Sequence, residues 1–188
     1  MKTLKLLSLF LIVLLLSACG NKSNDKSKDN DQTTDASTKN VESLDATIPD
    51  AYETFSSNEF GFNLEMQAPA EAEIYTSILM TDKGTEDLLV VQLDPGSNIK
   101  LFIRNFNSDF SEIKSKAEDD MFNKFDSYII EKDNIIVYKA ENSEGNMVHH
   151  LAYKINKKDA SYLVYTDSFS EYDFETINLL YAIAKSIK

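Results

Sequence analysis

Apolar side chains follow three regimes along the 188 residues. Leu6 to Leu16 is an apolar run, broken only by Ser8. Gly20 to Asp45 holds almost no apolar side chain. From Ala46 onward apolar and polar positions recur with the periods of secondary structure. Phe60, Phe62, Leu64 and Met66 alternate with polar neighbours and share one face, which predicts a half-buried strand. Glu73 to Met80 and Asp87 to Leu93 predict a hairpin with Thr81 to Thr85 as its connector. Ile99 to Phe106 predicts a further strand, with Ile99, Leu101 and Ile103 on one side and Phe102 opposite. Leu88-Leu89-Val90-Val91 is apolar on both faces, the mark of a strand covered on two sides.

The period then changes. Phe110, Ile113, Ala117, Met121 and Phe125 are spaced as one face of a helix of about sixteen residues, with Asp109 and Glu112 placed as N-cap and capping-box partner. Strands resume at Tyr128 to Glu131, Ile135 to Ala140, Met147 to Ile155 and Tyr162 to Thr166. The short turns Asn142-Ser143-Glu144-Gly145 and Asn156-Lys157-Lys158-Asp159 make them an antiparallel meander. A last helix is predicted from about Ser170 to Ile187. Ser170 and Asp173 form its capping box, and Phe174, Ile177, Leu180, Tyr181, Ala184 and Ile187 its buried stripe. Gly84, Pro95-Gly96 and Gly145 fall between apolar segments and mark turns. Strands apolar on both faces call for covering layers on both sides. The predicted fold is therefore α+β, an antiparallel sheet covered by helices on both faces in an α-β-α sandwich.

With these elements placed, residues 52 to 188 resemble the PsbP-like family, named for the extrinsic subunit of photosystem II. The similar pieces are Phe55 to Pro69 (FSSNEFGFNLEMQAP), which resembles that family's opening hairpin, the mid-chain helix before the meander, and the closing Ala184-Lys185-Ser186-Ile187. No tryptophan follows Pro69, where many members have one. The resemblance implies an accessory or assembly role and transfers no catalytic residues.

The first regime changes the picture most. Lys2 and Lys5 precede the apolar run, and Leu16-Ser17-Ala18-Cys19 closes it. A positive n-region, an h-region of about eleven residues and a small-residue junction are the parts of a secretory signal. The junction resembles the bacterial lipoprotein lipobox. That resemblance implies cleavage between Ala18 and Cys19, a diacylglycerol thioether on Cys19 and an acylation site at the new amino terminus. Leu6 to Ala18 is about thirteen residues, too short for a membrane span of about twenty. Cys19 is the only cysteine. Once lipidated it leaves no thiol for disulfides, thiolate catalysis or Cys-type zinc sites.

Residues 1–18 are thus expected to be a cleaved signal peptide, 19–45 a lipidated cysteine and disordered tether, and 46–188 one globular domain. Asp29, Asp31 and Asp35 begin like an EF-hand loop. Thr34 and Asn40 stand where its glycine and bidentate glutamate belong, so a solvated linker is the better reading. The formal charge is −12, and loss of Lys2 and Lys5 makes it about −14. So acidic a surface disfavours nucleic acid and anionic lipid headgroups, which leaves membrane contact to the acyl chains on Cys19.

Candidate chemistry is sparse. His149 and His150, the two histidines, are adjacent on a predicted strand, point to opposite faces and cannot jointly ligate one metal. One of them is expected to meet a helix layer or sheet edge as a satisfied polar residue. No GxSxG, GxGxxG, P-loop or HExxH occurs. The Glu118-Asp119-Asp120 run fits a solvated helix face better than a cation site. Tyr128, Tyr138, Tyr153, Tyr162 and Tyr165 cluster in the meander, as core residues or as an aromatic binding face. No catalytic residue, metal or cofactor is expected. The expected function is a non-catalytic accessory or assembly domain that binds an envelope protein partner. It would be lipid-anchored on the outward side of the cytoplasmic membrane or on the outer membrane. A small-ligand-binding lipoprotein is the alternative, and an envelope hydrolase ranks below it.

Overall fold

In the computed structural model, which describes residues 43–188, 45% of the residues are strand and 16% helix. The chain opens with the antiparallel pair β1 (Tyr52–Ser56) and β2 (Glu65–Pro69). Then come β3 (Glu73–Thr81), β4 (Gly84–Gln92) and β5 (Lys100–Asn105), the helix α1 (Ser111–Glu118), the strands β6 (Lys124–Lys132), β7 (Ile135–Glu141), β8 (Met147–Asn156) and β9 (Ser161–Tyr165), and the helix α2 (Phe174–Ser186). Strands β3 to β9 form one seven-stranded antiparallel sheet in the order β3-β4-β5-β9-β8-β7-β6. The chain makes two meanders and closes them by pairing β5 with β9.

The expected α-β-α sandwich is therefore wrong. The protein is mostly β, and helices do not cover both faces of its sheet. One face carries α2 and the β1–β2 pair, over a core that includes Leu89, Ile103, Val137, Leu151, Val164, Ile177 and Ile183. Each such fully buried side chain contributes about 1.5–3 kcal/mol of burial. The opposite face has only the eight-residue α1, beside a smaller cluster of Phe106, Phe110, Ala117, Ile136, Tyr138 and Leu163. Strands apolar on both faces do not bring a second helical layer here. Instead, aromatic rings lying on the sheet cover part of that face, as with the Phe125–Tyr128 pair at 4.8 Å and Phe102–Tyr165 at 5.7 Å.

Local differences have local causes. The expected sixteen-residue helix stops at Glu118. Asp120 accepts a hydrogen bond from the Phe122 N–H at 2.8 Å, a turn that competes with continued helix, and Phe125 already lies in the next strand. At the other end Asp109 accepts from the Ser111 N–H, and Phe110 takes the N-cap position. The strand expected over Phe60–Met66 is a 3-10 turn (Asn58–Phe60), a left-handed Gly61 (φ 81°) and the start of β2. The burial of Phe62, Leu64 and Met66 on one side is as the pattern requires. The buried Ser57 hydroxyl holds this turn, donating to Phe62 O at 2.6 Å and accepting from Leu64 N–H at 3.2 Å. The last helix begins at Phe174 rather than Ser170. Asp173 is its N-cap, accepting from the Thr176 N–H at 2.7 Å, whereas the Ser170 hydroxyl donates to Asp167. Leu44 and Ile48 already pack against the main core, and the Asp45 N–H donates to Asn178 of α2.

Candidate functional site

The uncovered face of the sheet is where the structure departs most from a closed domain. Tyr138 of β7, Ala152 of β8, and Leu163 and Tyr165 of β9 form the floor of a hollow of about 530 Å³, and Ile113 and Ala117 of α1 form one wall. The segments after α1 and after β9 rise at its edge and meet there. The Asn123 side-chain amide donates to Ser168 O at 2.7 Å, and the Phe122 and Phe169 rings lie 4.6 Å apart. Met121 (85% exposed), Phe122 (50%) and Phe169 (73%) form an apolar ridge in solvent. Beyond it lies a second hollow of about 630 Å³ that shares Asp119, Asp120, Met121 and Phe122 and reaches Glu141. Isolated exposed apolar residues are ordinary, but three large ones meeting on a ridge between hollows are not.

Carboxylates edge this ridge. Asp119, Asp120 and Asp167 line the first hollow, as do Arg104 and Lys116. Arg104 is held by Glu86 at 3.0 Å and lies 5.4 Å from the Phe106 ring centroid, so its charge is already partnered. Glu118 accepts from the Tyr128 hydroxyl at 2.9 Å; burial and that carboxylate push the phenol above its ordinary value. Burial likewise raises Tyr138, with Asp120 adding to it, and raises Tyr165.

His150 lies beneath this face, 1% exposed, 5.3 Å from the Tyr138 ring and edge-on to Tyr172. Neither of its ring nitrogens makes a hydrogen bond of good geometry, although the Asp167 backbone passes near. Burial lowers its pKa to about 4, against the opposing pull of the Asp120 and Asp167 carboxylates. His149 points to the other face. Its Nδ1 lies 3.2 Å from Tyr172 O, so this nitrogen carries the proton and donates, and Nε2 is left without a partner against Phe174. The two imidazoles do point apart. The expectation of one satisfied histidine is met only in part, since both are buried and His149 is half-paired.

The five meander tyrosines divide between the faces. Tyr138 and Tyr165 line the hollow with Tyr128 packed beside them, and Tyr153 and Tyr162 pack into the α2 core. The ridge was missed by sequence reasoning. Met121 was assigned to a buried helical stripe, and Phe169 gave no periodic signal; the Asp119-Asp120 pair, poor in helix propensity, was the available warning. The Ala18–Cys19 junction and residues 19–42 lie outside the described residues. Among the described residues no helix is long and apolar enough to cross a membrane, and no three His, Cys, Asp or Glu side chains converge as metal ligands would. Compared with protein-family models, curated proteins and solved structures, the chain has no match.

Proposed function

We propose that this chain is a lipid-anchored envelope protein, held through Cys19, whose domain binds a protein partner and carries out no catalysis. The observation that carries the reading is the ridge of Met121, Phe122 and Phe169, standing in solvent between two open hollows. A small-molecule site encloses most of its ligand and aims a few polar groups inward. Here the most unusual polar side chain, His150, is sealed below the floor, and the apolar groups point outward. That arrangement suits a broad partner better than an enclosed ligand. The Asp119, Asp120 and Asp167 carboxylates beside the ridge favour a segment that carries lysine or arginine next to apolar anchors.

The test is photo-crosslinking in the native envelope from a benzoyl-phenylalanine placed at position 122, with position 132 on β6 as the control site. One crosslinked protein is expected from position 122 and none from 132. Copurification of that protein should weaken as salt rises. It should fall by at least tenfold in a Met121→Ser, Phe122→Ser, Phe169→Ser variant, because buried aromatic anchors carry most of an interface's free energy. Undiminished copurification with the triple variant, or turnover of an envelope substrate by the purified protein, would overturn the reading.

A further inference from the structure

The two edges of the seven-stranded sheet are built differently. Strand β6 carries Lys124, Asp126, Glu131 and Lys132, and its register against β7 slips between Phe125 and Ser127 and again between Tyr128 and Ile130. Charges and bulges of this kind are how sheets prevent another strand from adding. The other edge, β3, has no bulge and almost no charge. Its nine residues EIYTSILMT hold one charge, Glu73 at the first position, and pair with β4 in unbroken register from Glu73↔Gln92 to Thr81↔Gly84. No strand among the described residues pairs with its outer side. The tight Thr81↔Gly84 pair at the turn sets the alternation along β3, so Ile74, Thr76, Ile78 and Met80 turn their N–H and C=O groups outward. The side chains of Ile78 (66%) and Met80 (84%) are also in solvent.

We propose that β3 is an interface between two copies of this chain, which pair antiparallel about a two-fold axis through Ser77 and join their sheets into one. The strand is self-complementary in that register. Ile74 of one copy lies opposite Met80 of the other and Thr76 opposite Ile78, so the four residues with outward backbone groups face one another. These pairs supply about eight N–H···O=C bonds. On the opposite face Tyr75 meets Leu79. The sole charge, Glu73, meets Thr81, so no like charges are opposed. Self-pairing covers Ile78 and Met80, and it uses the edge that lacks the devices guarding β6. The acidic surface opposes association at long range, so added salt strengthens the dimer.

The experiment uses the chain carrying Cys19→Ser, which removes the native thiol. Sedimentation velocity is expected to show a concentration-dependent dimer, more populated at 0.5 M than at 0.05 M salt, and Ile78→Lys is expected to be monomeric with an unchanged melting temperature. Two single cysteines then read the register. Ser77→Cys places its sulfur opposite its own copy at a Cα separation of about 4.5 Å, within disulfide reach. Met80→Cys is more exposed but lies far from its copy. Mild oxidation should link Ser77→Cys at least tenfold faster than Met80→Cys. A chain that stays monomeric up to about 1 mM, a dimer indifferent to Ile78→Lys, or equal crosslinking at the two positions would overturn the proposal.

Discussion

His150 is a titratable ring held where its charged form has no water and no good hydrogen-bond partner. Its pKa, lowered to about 4 by burial, lies below the ordinary 6.5, so between those values the unfolded chain takes up a proton that the folded one refuses. The contribution of this residue to stability is therefore complete above about pH 6.5 and is lost as pH falls toward 4. From pH 7 to pH 5 that loss amounts to about 2 kcal/mol, the slope approaching about 1.36 kcal/mol per pH unit below 6.5. A His150→Phe variant keeps a ring beside Tyr138 and removes the titration. Urea unfolding at pH 7 and pH 5 should show a smaller fall in midpoint for the variant than for the native protein. Equal falls would mean that the histidine is solvated or paired in solution. Adjacency on a strand was enough to show that His149 and His150 diverge; their depth was not, because burial depends on which layers the rest of the chain brings over each face.

Strand positions within the seven-stranded sheet and the buried stripe of α2 were legible because each is a local period, whereas β1 and the turn before β2 were not. Ile177, Leu180 and Ala184 are fully buried, as their spacing requires. Layering was not legible, because a strand apolar on both faces looks the same whether a helix or the aromatic rings of its neighbours cover it. Helix ends were legible only where side-chain capping decides them without competition. At α2 both Ser170 and Asp173 offered an oxygen; Asp173 caps the helix, and Ser170 is engaged by Asp167. Asp173→Ala should therefore lower stability by about 1 kcal/mol, within the range for lost N-caps, and Ser170→Ala by less than about 0.5 kcal/mol. Thermal or urea unfolding of the two variants separates them, and a larger loss for Ser170→Ala would return the cap to the position that the spacing favoured. The candidate site was the least legible part. It is built where periodicity fails, in the segments after α1 and after β9, and what exposes Met121 and Phe169 is the absence of a covering layer rather than any motif.

At the scale of the whole molecule, charge and exposed apolar surface decide what can hold the protein at a bilayer. The chain carries 31 acidic against 19 basic side chains, so its surface is repelled by anionic headgroups over a Debye length of about 8 Å at physiological salt. The exposed ridge is another contact to weigh, yet Asp119, Asp120 and Asp167 beside it would have to approach the same headgroups. Neither charge nor ridge then favours a bilayer, so under the proposed reading the thioether on Cys19 supplies the affinity. Each buried acyl methylene contributes about 0.8 kcal/mol, so two chains hold where one gives only marginal, reversible binding. A Cys19→Ser chain should fractionate with the soluble phase at both 0.1 M and 1 M salt. The native protein and the Met121→Ser, Phe122→Ser, Phe169→Ser variant should both stay with the membrane. Retention of Cys19→Ser at 1 M salt would instead assign the contact to exposed apolar surface, because charge attraction is screened there and apolar insertion is not. Release of the ridge variant would point the same way.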